Sequence, residues 1–79
     1  MKAEQVKEKF EGYRQDYNAT FAWQCRMLHG CATKSDKLAK TMYNEDRTLV
    51  VYIFTDFSYL VCNLKTYENR TGSLIESWE

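Results

Sequence analysis

The chain contains no proline, so nothing in it forbids long regular elements. Its three glycines are isolated, which excludes a glycine-rich phosphate loop. Acidic and basic residues balance at eleven each. A non-specific nucleic-acid binder usually carries a basic excess, so that class is disfavoured. A net charge of zero also does little to keep copies apart, which favours self-association. The longest apolar run is too short to cross a bilayer as a helix. The opening, MKAEQVKEKFEGY, has no apolar core of a secretory leader. Three cysteines, an odd number, then read as reduced thiols in a cytoplasmic protein.

The 79 residues are 44% hydrophobic and rich in tyrosine and phenylalanine, enough for one folded domain near the lower size limit for an unstapled core. No repeat, linker or low-complexity tract divides it. From Lys2 to His29, the residues Ala3, Val6, Phe10, Tyr13, Tyr17, Phe21, Cys25 and Leu28 recur at steps of three and four, which predicts one continuous helix over about 2–29. Gly12 is its weak point, at about 1 kcal/mol, and Gly30 follows as a natural C-terminal residue. Thr33-Lys34-Ser35-Asp36 resembles a capping box, which places a short second helix over about 34–44. The competing reading makes Leu38–Tyr43 an additional strand.

Beyond the polar NEDR break, residues 48–55 and 58–67 read as strands, separated by a tight turn at Asp56 and Ser58. The stretch ENRTG reads as a second turn, leaving a third strand at about 73–78, where a helical turn joining Leu74 and Trp78 is the alternative. The expected fold is α+β: a long N-terminal helix and a short second helix packed on a three- or four-stranded antiparallel meander.

The stretch LVVYIF is apolar on both parities. Leu49, Val51 and Ile53 would face one way and Val50, Tyr52 and Phe54 the other, so this strand is expected to be central, with something packed on each face. One long helix covers one face. The other calls for the short helix, Trp78, or a second molecule. Trp23 and Met27 lie on a separate stripe, rotated away from the main apolar one, and both residue types are enriched at protein interfaces. Trp23, Met27, Tyr52, Phe54 and Tyr59 are therefore the candidate partner-binding residues, set against the plainer alternative that the domain buries them itself.

Chemistry-bearing groups are sparse. Cys25, His29, Cys31 and Cys62 include the ligand types for zinc, but not as paired short knuckles, and Cys25 and Cys62 fall on apolar faces where a thiol behaves as a small hydrophobe. A Cys–His nucleophile here would sit at a helix C-terminus, whose negative end opposes a thiolate. No catalytic residue, metal or cofactor is expected. Lys34, Lys37 and Lys40 would form a basic row on the second helix, and with sheet aromatics they support the alternative of a nucleic-acid-binding regulator. The favoured expectation is a non-enzymatic cytoplasmic protein that works by protein–protein contact. It would act as an inhibitor or adaptor of a larger host or viral machine, plausible as a homodimer and of viral or mobile-element type.

Overall fold

A computed structural model describes residues 2–11, 19–73, 75 and 76, with the side chains of 19–23 outside the description. Two helices pack on an open four-stranded antiparallel sheet, an α+β arrangement. The elements are α1 (Ala3–Glu11), α2 (Ala19–Lys34), β1 (Leu38–Tyr43), β2 (Leu49–Phe54), β3 (Tyr59–Asn63) and β4 (Asn69–Gly72), with the strands ordered β1-β2-β3-β4.

β2 lies inside the sheet, and five of its six residues are buried. Each large aliphatic side chain so enclosed stabilises the fold by about 1.5–3 kcal/mol relative to exposure. Its two faces divide as alternation requires. Leu49, Val51 and Ile53 join Val61 of β3 beneath Ala3, Val6 and Phe10 of α1. Val50 and Tyr52 join Leu60 and Cys62 beneath Cys25 and Ala32 of α2. The register carries this across strands, pairing Val51 with Val61 and Tyr52 with Leu60.

The expectation of one helix over about 2–29 is therefore corrected. A single rod covers a single face, and α1 and α2 lie on opposite faces. At 1.5 Å per residue the expected rod would run roughly 40 Å, beyond the longest molecular extent of 32 Å. The stripe residues Tyr13 and Tyr17, with Gly12, fall outside the described residues. Gly30 does not end the helix; it sits inside α2.

The helix expected over 34–44 is also corrected, and the competing strand is what forms. Thr33 and Ser35 terminate α2 instead of starting another helix. The Thr33 hydroxyl donates back to the Gly30 carbonyl (3.0 Å), and the Ser35 hydroxyl accepts the Lys37 N–H (3.2 Å). The open edge of β2 then supplies partners for Leu38–Tyr43, with a register irregularity between Leu38 and Lys40. Local helical spacing offered one hydrogen-bonding solution; the sheet edge offered another together with burial.

The last strand lies earlier than expected. Asn63 Oδ1 accepts the backbone N–H groups of Lys65 and Thr66, both at 3.0 Å, so the chain turns there and the NRTG stretch becomes β4. None of the described residues 73, 75 and 76 is in a strand. Ile75 instead closes the α1-side core, its N–H donating to the Phe57 carbonyl at 3.2 Å. Trp78 lies outside the described residues.

Candidate interaction surface

Each of the three hairpin loops contains a residue in the left-handed region: Arg47 (φ 56°), Phe57 (φ 65°) and Tyr67 (φ 61°). None is glycine or asparagine, the types that adopt this region at least cost; other L-residues pay roughly 1–2 kcal/mol. Two of the three recover contacts nearby. The Arg47 guanidinium lies over the Tyr43 ring at 5.0 Å, and Tyr67 is half-buried against the α2-side core with Arg26 over its ring at 4.4 Å. Phe57 is 44% exposed at the tip of the β2–β3 hairpin.

The tip holds its shape through its own side chains. Asp56 Oδ1 accepts the Ser58 N–H at 3.0 Å and the Ser58 hydroxyl, while the Phe57 N–H donates to the Phe54 carbonyl at 3.0 Å. The Ser58 donors hold the Asp56 carboxyl below the usual carboxylate range. Beside the ring, Asp56, Ser73, Ile75 and Glu76 line a broad open hollow of about 530 Å³. An exposed aromatic side chain thus sits on a hydrogen-bonded turn, with Asp56 and Glu76 lining the same hollow.

The residues nominated from sequence are not gathered in one place. Tyr52 is 1% exposed and cannot reach a partner; its hydroxyl is bonded to Nδ1 of His29 beneath α2. Burial, with Tyr43 close by, pushes its phenol pKa up, so the phenol stays protonated. Phe54 is half-buried against the α2-side core. Tyr59 is half-buried against the α1-side core, with its ring lying across Gly72 of the neighbouring strand. Met27 stands exposed on α2, and the side chain of Trp23 lies outside the described residues. Of the five, Met27 is the one shown at the surface as a large exposed hydrophobe.

The four candidate zinc ligands are likewise dispersed. Cys25 and Cys62 are buried together, Cys31 is exposed, and His29 is engaged by Tyr52. No group of three or more potential ligands forms among the described residues. The basic row on a second helix does not form either. Lys34 ends α2, Lys37 lies in the following turn, and Lys40 is half-buried on β1 opposite Ile53.

Sequence reasoning missed Phe57 because it treated the turn as polar. The signal was there in Asp56-Phe57-Ser58, an aromatic residue where a tight hairpin favours glycine or asparagine. Tyr43, 42% exposed at the end of an edge strand, was missed because its segment was read as helix. No helix among the described residues is long and apolar enough to cross a membrane. No family model, curated protein or solved structure matches the chain.

Proposed function

We propose that this protein is a non-enzymatic binding module that engages a protein partner through the β2–β3 hairpin, with Phe57 as the anchor. The observation that carries this reading is an aromatic side chain held exposed at a hairpin tip in a costly backbone conformation. Strain of this sort persists where surrounding structure enforces it, and such outliers cluster at binding and active sites. Buried aromatic anchors dominate interface energetics. The flanking carboxylates of Asp56 and Glu76 favour a partner with an apolar pocket and a basic rim.

This reading moves the contact away from the sheet faces. The protein's own helices cover both sides of β2, so the central strand makes no demand for a second copy. A role as inhibitor or adaptor of a larger assembly, in the cytoplasm, fits a small module with an exposed aromatic anchor.

The test compares the full-length protein with a Phe57→Asn variant as bait in quantitative affinity capture, with thermal unfolding as a folding control. The expected result is a partner retained by the native chain and depleted at least about tenfold by the variant, as loss of a hot-spot contact implies. Equal capture by a folded variant overturns the assignment. Light scattering over a range of concentrations tests self-association, which on this reading also weakens with Phe57→Asn.

A further inference from the structure

The hairpin that carries Phe57 also borders an apolar groove. Leu28 and Ala32 of α2 line it together with Phe54 of β2 and Leu60 of β3, all four members of the α2-side core, and Ser35 and Ser58 add hydroxyls to its wall. The groove measures about 320 Å³. A closed aliphatic cavity of roughly 150 Å³ takes up a benzene ring, so this one has room for a phenyl group.

The charges around groove and anchor differ in sign. Lys34, Asp36 and Lys37 stand exposed about Ser35, two cations to one anion, and the Ser35 hydroxyl holds the Lys37 N–H at 3.2 Å. At the hairpin tip, the exposed carboxylates of Asp56 and Glu76 share a hollow with Phe57. An acidic knob and a basic-edged hole attract and orient one another. They also adjoin in the fold. Phe54 and Ser58 of the groove flank the tip in sequence, and the Thr55 N–H donates to the Lys37 carbonyl at 2.8 Å. One two-fold contact therefore lets each copy give an anchor and receive one, the self-complementary form of a homodimer interface.

We propose that the partner seated on Phe57 is a second copy of this chain, with the ring of each copy entering the groove between α2 and β3 of the other. The inference rests on the docking role assigned to Phe57 and names the pocket it fills. The acidic tip calls for an apolar pocket with a basic rim, and this chain carries one. Its zero net charge sets no long-range repulsion against the pairing.

The experiment measures the mass of the full-length protein by sedimentation and light scattering from micromolar to millimolar concentration. The native chain is expected to pass from monomer to dimer. Phe57→Asn is expected to stay monomeric. Cys31 is exposed and lines the groove, while Cys25 and Cys62 are buried, so a bulky maleimide on Cys31 blocks the groove and also gives a monomer. Thermal unfolding confirms that both altered chains are folded. An equimolar mixture of the two is the decisive sample. The alkylated chain keeps its anchor and the Phe57→Asn chain keeps an open groove, so the mixture is expected to form a one-to-one dimer. Lys34→Glu weakens the native dimer by up to about fivefold, the scale of an exposed charge pair. A native chain that stays monomeric, a dimer untouched by either alteration, or a mixture that fails to pair overturns the proposal. A monomeric native chain whose captured partner is still lost with Phe57→Asn overturns the second copy alone and leaves the docking role of Phe57 standing.

Discussion

The hydroxyl of Tyr52 on the central strand is hydrogen-bonded to Nδ1 of His29 on α2. The bond ties the central strand to the helix that covers its second face. Tyr52→Phe keeps the ring and removes the bond, and is expected to cost about 1 kcal/mol. His29→Phe leaves a buried phenol unpaired and costs about 1–3 kcal/mol. Urea denaturation of the two variants checks the order.

Burial holds the Tyr52 phenol pKa above its ordinary value. A group whose folded pKa is raised stabilises the fold below its unfolded pKa, near 10 for tyrosine, and that stability is lost as pH rises toward the folded value. Ultraviolet titration is expected to ionise exposed tyrosines first, with the Tyr52 signal appearing only with alkaline unfolding. A Tyr52→Phe protein removes that last step.

Phe57 and Tyr67 share a backbone conformation and differ in what their rings touch. Phe57→Asn relieves the left-handed cost at an exposed site and is expected to raise stability by up to about 1 kcal/mol. Tyr67→Asn gives up half-buried apolar area and the Arg26 contact, and is expected to lower it by about 1–2 kcal/mol. Opposite shifts in melting temperature are the readout.

Asp56 depends on the Ser58 hydroxyl and N–H, which hold its carboxyl pKa down. A depressed folded pKa contributes stability above the unfolded value, near 4, that disappears as pH falls through the folded one. The stability difference between native protein and Asp56→Ala is therefore expected at neutral pH and to close in acid. Chemical denaturation at pH 7 and pH 3 measures it.

Two glycines should respond in opposite directions. A methyl group at Gly30 meets nothing within 4 Å, so Gly30→Ala inside α2 is expected to stabilise by about 1 kcal/mol. At Gly72 the added carbon runs into the Tyr59 ring. Gly72→Ala is expected to cost about 1–3 kcal/mol through displacement of that ring. Tyr59→Ala in the same background removes the clash, which a double-mutant cycle reads directly.

Composition and alternation determined a good deal on their own. LVVYIF, apolar on both parities, required a central strand with cover above and below, because side chains in a strand point alternately to two faces. The antiparallel α+β class followed from helical spacing early in the chain and β-branched runs later. Short-range periodicity also misled, since it records local spacing and not what lies across the sheet. Ala3 to Leu28 share one helical stripe in sequence, but two apolar faces need two separate covers, and only the assembled sheet creates that demand. Leu38–Tyr43 became a strand because β2 had an unpaired edge. The burial of Cys25 and Cys62 in one core cluster depends on α2 packing over β3, and the exposure of Phe57 depends on how the hairpin tip projects. Both are distances between residues remote in sequence or questions of what remains uncovered, and folding alone decides them.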